Sequence, residues 1–207
     1  MPGTKTDKKK LLDFSRIEKF HPYKTFLFFA LLGSTMIFMT VTFLYLVNLS
    51  KTIPLENFVL PKSFFLSSIL LLFSSYTISK ILNSFKNDSF RELFFYLGST
   101  LALGFAFTAS QIYGWKQLID SGFLFRTHNA VSFFYLISGI HFLHVFAGLV
   151  FLSFLTINTY LNSKDVVKTL LFFSDDYRQT RFELAIIFWH FVDFLWLGLF
   201  LIFLFTF

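Results

Sequence analysis

The sequence predicts an all-α fold, a membrane-embedded bundle of five transmembrane helices. Of its 207 residues, 55% are hydrophobic and only 14% are charged. A soluble domain of this size could not hide so much apolar surface from water. Five apolar segments are long enough to cross a bilayer, because a hydrocarbon core about 30 Å thick needs about 20 residues of helix.

The breaks between the five predicted helices contain residues that are typical of turns and helix ends. Pro54 and Pro61 interrupt the chain before the second segment, and Gly122 lies before the fourth. The lysine-rich stretch of residues 1–24 is predicted to be a retained cytoplasmic arm, because the apolar run after it is as long as a membrane span. The predicted spans, which form one bundle over residues 25–207, are 25–47, 63–82, 90–113, 130–160 and 182–207.

The composition excludes several classes of site and partner. The chain has no cysteine, which rules out disulfides, cysteine-ligated zinc, iron–sulfur clusters and thiolate-bound copper. The net charge of +6 could suggest nucleic acid, but the basic residues lie mainly beside the apolar segments. Anionic phospholipid headgroups explain that placement, so we expect a membrane surface as the partner and no nucleic acid.

The distribution of positive charge predicts the orientation of the helices. Of the 18 Lys and Arg residues, 14 lie in the N-terminal arm and in the second and fourth connections with their flanking residues, and 4 lie in the first and third connections. Excess positive charge marks the cytoplasmic side of a membrane protein. The N-terminus is therefore predicted to be cytoplasmic and the C-terminus periplasmic.

Few ionisable side chains lie inside the last two apolar segments. His141 and His144 are on the fourth segment, and His190 and Asp193 are on the fifth. Each pair has the spacing i, i+3, which places both side chains on one face of a helix. Depth counting at 1.5 Å per residue predicts that His144 meets His190 and that His141 meets Asp193.

Two interpretations of these four residues remain open on spacing alone. Two histidines and a carboxylate could hold a transition metal, and His144 with His190 could clamp a haem iron. Alternatively, the residues form a structural polar network that locks two helices together. The spacing favours the network, because a single His-x-x-His pattern is a weak indicator of a metal site.

Charged residues cluster near the start of the fifth segment. Glu183 and Arg181 are predicted to lie at the membrane interface, either as an ion pair near a helix N-terminus or as contacts to a partner. Arg178 lies just before them. These three residues are candidates for contact with lipid or with another subunit.

The last two segments carry an ordered set of motifs. The fifth has Glu183, then Trp-His-Phe-Val-Asp at residues 189–193, then Trp196. The fourth has Ser-Gly-Ile-His-Phe-Leu-His-Val at residues 138–145, followed by Gly148. In order and spacing this set resembles the last two helices of subunit III of the haem-copper respiratory oxidases.

Weaker similarities extend the resemblance over roughly residues 25–207. The third segment ends with Gln111 and Trp115, and a serine-rich second segment follows Pro61, both as in that family. The count of five helices is similar to the short bacterial form of the subunit.

Three positions depart from the family pattern. Ser34-Thr35 lies where the family has Ser followed by an acid, which is linked to support of proton uptake. Gly114 replaces the acid before Trp115, and Phe142 replaces a small residue between the two histidines. Because threonine cannot ionise, the role in proton uptake is open for this chain.

The resemblance implies a noncatalytic subunit of a proton-pumping terminal oxidase in aerobic electron transport. Such a subunit stabilises subunit I and binds phospholipid, while haem and copper are carried by partner subunits. It implies a hetero-oligomer with subunits I and II in a bacterial inner membrane, with membership of a respiratory supercomplex as a further expectation. The residues expected to hold the helices together are His141, His144, His190 and Asp193, and those expected to contact lipid or partner subunits are Glu183, Arg178 and Arg181.

Other functions remain as alternatives. The chain could be the accessory subunit of a nitric oxide reductase, which would not need the acid that Thr35 replaces. It could also be a stand-alone electron carrier with haem between His144 and His190. A transporter is a third possibility, but the sequence has no broken helix and no charged central pathway.

Overall fold

The computed structural model describes residues 22–49, 61–125, 129–163, 169 and 172–206. Within these ranges the secondary structure is helical, and five helices are long and apolar enough to cross a membrane. This confirms the predicted fold class. The helices are α1 (Pro22–Leu49), α2 (Lys62–Lys86), α3 (Phe90–Asp120), α4 (Asn129–Asn162) and α5 (Asp176–Thr206).

The helices extend beyond the apolar segments from which they were predicted. Helix α3 continues to Asp120 rather than ending at residue 113, and α5 begins at Asp176 rather than at residue 182. Hydropathy marks only the part of a helix in hydrocarbon, whereas the backbone hydrogen bonds continue into the interface. Of the predicted arm, residues 1–21 lie outside the described residues, and residues 22–24 belong to α1.

The chain divides into two compact units, Met1–Ile37 and Phe38–Phe207. In the first unit, the described part of α1 exposes large apolar side chains such as Phe26, Phe28 and Met36. Such a surface suits a helix that faces lipid or another apolar partner. Thr35 in this unit donates its hydroxyl hydrogen to the carbonyl of Leu31, at 2.8 Å, which satisfies the hydroxyl within its own helix.

In the second unit, α2 and α3 form an antiparallel pair joined by a turn of three residues. The turn contains Asp88 at a positive φ of 53°, a conformation that aspartate tolerates better than most residues. Thr77 on α2 lies 2.8 Å from Thr100 on α3, hydroxyl to hydroxyl. Further along the helices, the amide of Gln111 donates to the hydroxyl of Ser67 at 2.9 Å. These bonds fix the register of the pair.

Helix α5 packs against α2 on one side and against α4 on the other. On the α4 side, the rings of Phe134 and Phe203 lie 4.5 Å apart near the end of α5. Nearer the start of α5, a Cβ built at Gly148 of α4 would lie 3.1 Å from the ring of Trp189. A glycine there allows α4 and α5 to approach closely, as small residues do between membrane helices.

Candidate functional site

Helix α2 presents a row of serines to the interior of the second unit. Ser67, Ser68 and Ser74 are buried. The hydroxyls of Ser67 and Ser68 donate to the carbonyl of Phe64 one turn earlier, at 2.8 and 3.0 Å. A hydroxyl that donates to its own helix still has lone pairs to accept a bond from a neighbouring helix.

Both tryptophans of α5 use these serines as acceptors. The indole N–H of Trp189 donates to Ser74 at 2.6 Å, and that of Trp196 donates to Ser68 at 3.0 Å. Both indoles are almost fully buried, where an N–H without an acceptor would be costly. The tryptophans therefore tie α5 to α2 through hydrogen bonds as well as through packing.

His190 makes a third connection between α5 and α2. Its Nδ1 lies 2.9 Å from the hydroxyl of Ser75, and its Nε2 lies 3.2 Å from the hydroxyl of Ser79. Ser79 also donates to the backbone carbonyl of Ser75 at 2.8 Å. The imidazole is thus held at both nitrogens by hydroxyls one turn apart on α2.

His144 lies half-buried on α4. Its Nδ1 is 2.8 Å from the carbonyl of Ile140, one turn earlier on the same helix. Its ring centroid lies 5.5 Å from that of Phe38 on α1. In these contacts His144 is bonded to its own helix and packs against an aromatic ring.

His141 is buried among aromatic rings. Its ring centroid lies 5.1 Å from that of Trp196, and Phe107 meets it edge-on at 5.9 Å. Neither ring nitrogen has a hydrogen-bond partner among the described residues. A neutral imidazole is the form that suits such an apolar setting.

Asp193 lies one turn before Trp196 on α5 and is 4% exposed. Its two carboxyl oxygens have no partner at hydrogen-bonding distance in the described part of the chain, and the hydroxyl of Ser75 lies near them. His141 and Asp193, which depth counting predicts to meet, therefore form no hydrogen bond with each other in the structure.

The register of α4 against α5 explains this difference. His141 lies opposite Trp196, whereas depth counting had placed it opposite Asp193. The two positions are three residues apart, a displacement of about 4.5 Å along a helix. Depth along each helix is counted from the ends of the apolar segments, and these ends do not coincide with the ends of the helices.

At the start of α5, the charged residues contact aromatic rings. Arg178 pairs with Asp175 at 3.2 Å and lies over the ring of Phe172 at 4.6 Å. Arg181 donates to the hydroxyl of Tyr177 at 3.1 Å and also lies over its ring. Such stacking holds a guanidinium in place while leaving donors for an anion.

Glu183 lies one turn further along α5. It accepts a hydrogen bond from the side-chain amide of Gln179 at 2.8 Å. Arg178, Arg181 and Glu183 thus lie within two turns at one end of the helix, as the sequence places them.

Among the described residues, no group of three or more His, Asp or Glu side chains is arranged to hold a metal ion. The polar side chains that the second unit buries mostly bond across helices instead. What the arrangement provides is a set of directional links between α2 and its neighbours α3 and α5.

Comparison with known proteins places this architecture in a family. A model of the family described as cytochrome c oxidase subunit III matches residues 25–206 of the chain. The chain belongs to this family. The match includes all four residues of the predicted network and the serines of α2.

Individual relatives support the assignment. Cytochrome c oxidase subunit 3 of Bacillus sp. (strain PS3) is 31% identical over 172 residues, which are 81% of this chain and 78% of that protein. The subunit of Bacillus subtilis (strain 168) is 33% identical over 137 residues, covering 66% of this chain and 61% of that protein.

A relative from another kind of oxidase also matches. Subunit 3 of the cytochrome bo(3) ubiquinol oxidase of Buchnera aphidicola subsp. Baizongia pistaciae is 29% identical over 135 residues. The match covers 65% of this chain and 64% of that protein. By their names, the relatives of this subunit III chain thus include subunits of both cytochrome c and ubiquinol oxidases.

Two departures from the subunit III pattern have a packing explanation. A Cβ built at Gly114 would lie 2.7 Å from Cε2 of Phe64 and 2.8 Å from the hydroxyl of Ser63, so a side chain there would displace these groups. Phe142 packs against Trp115, with ring centroids 5.3 Å apart. The indole N–H of Trp115 donates to Ser138 at 3.2 Å. Phe64 and Ser63 thus occupy the space beside Gly114, and Trp115 packs against the ring that replaces a small residue at position 142.

The serines of α2 are the residues that the sequence interpretation missed as partners. The signal was present in their spacing, because Ser67 and Ser74, and likewise Ser68 and Ser75, are seven residues apart. That interval corresponds to two turns, so each pair lies on one face of the helix. Depth counting had compared only α4 with α5 and had left α2 out.

Proposed function

We propose that the chain acts as the noncatalytic subunit III of a proton-pumping haem-copper terminal oxidase in aerobic electron transport. The observation that carries this proposal is the family match over residues 25–206. The role would be to stabilise subunit I and to bind phospholipid at the rim of the complex. Subunits I and II are the proposed partners, and membership of a larger respiratory supercomplex is a further proposal.

Haem and copper are proposed to lie on the partner subunits. In the stand-alone carrier alternative, His144 and His190 would both ligate an iron. Contacts of His190 weigh against that alternative, because each of its ring nitrogens already has a serine hydroxyl at 2.9 or 3.2 Å. Release of the ring would break both links to α2.

The proposed structural role of the polar residues now centres on α2 and α5. His190 links these helices through Ser75 and Ser79. Asp193 lies beside Ser75, and on α4 the ring of His141 packs against Trp196 of α5. We propose that the four residues together fix the mutual position of α2, α4 and α5.

Charge distribution supports the proposed location and topology. We propose a bacterial inner membrane, with the N-terminus cytoplasmic and the C-terminus periplasmic, from the excess of Lys and Arg on one side. Arg178, Arg181 and Glu183 would then lie at the cytoplasmic face, where they could contact lipid headgroups or a neighbouring subunit. A C-terminal reporter that is active only in the periplasm should be active, and activity of a cytoplasmic reporter would contradict this topology.

Native mass spectrometry of the complex, purified in mild detergent through a tag on this chain, tests the proposed function. We expect one copy of the chain with subunits I and II of an oxidase. If the chain is instead recovered with the catalytic subunit of a nitric oxide reductase, it is the accessory subunit of that enzyme, the alternative suggested by the threonine at position 35. Haem b absorption stoichiometric with the isolated chain would contradict the noncatalytic role.

A further inference from the structure

A small cavity lies between the end of α4 and the start of α5. On α4 it is lined by Asn158 and Thr159, and on α5 it is lined by Arg178 and Arg181. Its volume is about 10 Å³. That is room for one particle of about the size of a water molecule, whereas a phosphate group needs more. The cavity therefore suits a single small ion or molecule.

The guanidinium group of Arg178, which lines this cavity, has a buried nitrogen without an acceptor. Its Nε bonds to Asp175 at 3.2 Å, and the group lies over the ring of Phe172 at 4.6 Å. Its Nη1 is buried and has no hydrogen-bond partner in the part of the chain that the structure describes. A buried N–H group of a cation is costly when nothing accepts its hydrogen. An anion in the adjoining cavity would supply the acceptor.

Asn158 and Arg181 bring further donors to the cavity. The Oδ1 of Asn158 accepts a bond from the amide of Asn162 at 2.6 Å, which leaves the N–H groups of Asn158 for another partner. Arg181 bonds to the hydroxyl of Tyr177 through Nη2 at 3.1 Å, and the guanidinium has other N–H groups. Three side chains from two helices can therefore donate to one occupant.

This surplus of donors favours an anion over water. A water molecule also has two hydrogens to donate, and the side-chain acceptor on the α4 wall is the hydroxyl of Thr159, which itself donates to its own helix. The nearby carboxylates bond elsewhere, Asp175 with Nε of Arg178 and Glu183 with the amide of Gln179. Of the described residues that line the cavity, two are arginines and none is acidic.

We propose that this cavity binds one small monatomic anion, of the chloride type. Nη1 of Arg178, the amide of Asn158 and the guanidinium of Arg181 donate to the ion, which ties α4 to α5. The delocalised guanidinium is weakly hydrated, so it pairs readily with an anion at a partly buried site. The site goes beyond the proposed function and does not depend on it.

The test measures thermal unfolding of the full chain in mild detergent while sodium chloride replaces sodium gluconate at constant ionic strength. The resulting change in unfolding midpoint is the chloride response. Comparison with Arg178→Gln removes the general effect of the salts. We expect the response of the parent to exceed that of Arg178→Gln by about 2 to 4 °C once chloride exceeds its dissociation constant about fivefold. Equal responses of the two proteins would overturn the proposal.

A second variant tests the site without removing an arginine. Asn158→Asp keeps the shape of the side chain and places a carboxylate beside the arginines, where it takes the role of the ion. Its chloride response should equal that of Arg178→Gln, and it decides the question if Arg178→Gln fails to fold. A response like that of the parent would contradict the proposed site.

Arg91→Gln is the matched control, because Arg91 is an exposed arginine on α3 that lies outside the cavity. It should respond to chloride like the parent, and loss of its response would show that chloride acts on surface charge in general. Sodium phosphate in place of chloride provides the control for size. Phosphate should affect the parent and Arg178→Gln equally, whereas a phosphate response that needs Arg178 would overturn the assignment to a monatomic anion.

Discussion

The indole nitrogen of Trp189 lies 2.6 Å from the hydroxyl of Ser74, a hydrogen bond that joins α5 to α2 within the second unit. Both residues are buried. Ser74→Ala would leave the indole N–H without an acceptor in an apolar setting. We expect this variant to lower the free energy of unfolding by about 1 to 3 kcal/mol, measured by thermal or denaturant unfolding in mild detergent.

The matched control for Ser74 is Ser121, whose hydroxyl is exposed and donates to the carbonyl of Gln117 on the same helix. Ser121→Ala removes one hydroxyl but no bond between helices. It should unfold like the parent. If Ser74→Ala also unfolds like the parent, the link between Trp189 and α2 contributes nothing to stability.

A second prediction concerns close contact between helices at Gly104. A Cβ there would lie 2.7 Å from Cδ2 of Leu149 and 2.9 Å from the ring of Trp189. Gly104→Ala should therefore destabilise the chain by about 1 to 3 kcal/mol, the usual cost of overpacking. Gly139→Ala, where no atom lies within 4 Å, should be neutral or stabilising, because alanine favours helix more than glycine does. Equal unfolding midpoints for the two variants would contradict the packing argument.

The fold could be predicted from the sequence because membrane-spanning helices are recognised by their length and apolar composition. Each of the five segments, such as the one over residues 90–113, lies within a helix of the structure apart from residue 207, which is not described. The helix ends were harder to predict, since turns such as Asp176 to Arg181 are polar and still helical. Backbone hydrogen bonding, which hydropathy does not measure, determines where a helix stops.

The site was only partly predictable, because the sequence fixes spacing along a helix but not rotation and register between helices. The i, i+3 spacing predicts that each pair lies on one face of its helix; His141 and Asp193 are buried, and His144 and His190 are half-buried. The partners of His141 and Asp193 depend on how far α4 is shifted along α5. The shift is about one turn from the predicted register, and no pattern within a single helix reveals it. The aromatic ring of Trp196 lies opposite His141, at the position where depth counting predicts the carboxylate of Asp193.

A third prediction addresses the imidazole of His190. Its two nitrogens lie at hydrogen-bonding distance from Ser75 and Ser79, so the double variant Ser75→Ala/Ser79→Ala removes both links. Interhelical bonds of this kind contribute about 0.6 to 1.7 kcal/mol in membrane proteins. We expect the free energy of unfolding of the double variant to be lower than that of the parent by about 0.6 to 1.7 kcal/mol.

The double-mutant cycle with His190→Phe separates the hydrogen bonds from other effects of the serines. If the links act through His190, adding Ser75→Ala/Ser79→Ala to His190→Phe should cost less than it does in the parent. Additive losses would show that the serines act independently of the imidazole. The cycle is read from unfolding free energies in the same detergent.

A fourth prediction concerns the position where the family has an acid before Trp115. Gly114→Glu would push a side chain into Phe64 and Ser63, within 2.8 Å of a Cβ. We expect this variant to be destabilised by about 1 to 3 kcal/mol or to fail to assemble. Phe64→Ala in the same chain opens space for the new side chain. The loss in free energy of unfolding of the double variant should therefore be smaller than the sum of the losses of Gly114→Glu and Phe64→Ala alone.

The last prediction tests the proposed locking role of Asp193. Its carboxyl group is buried beside Ser75, the residue that also holds His190. Asp193→Ala should weaken helix packing and association with subunit I by about 1 kcal/mol, a typical value for polar contacts in membrane bundles. Asp193→Asn keeps the shape and a hydrogen-bonding group, so it should stay close to the parent. Heat resistance and the yield of intact complex are the two measurements. If Asp193→Ala matches the parent in both, the carboxyl group does not lock the helices, and the hydroxyl links of His190 to α2 carry that role without it.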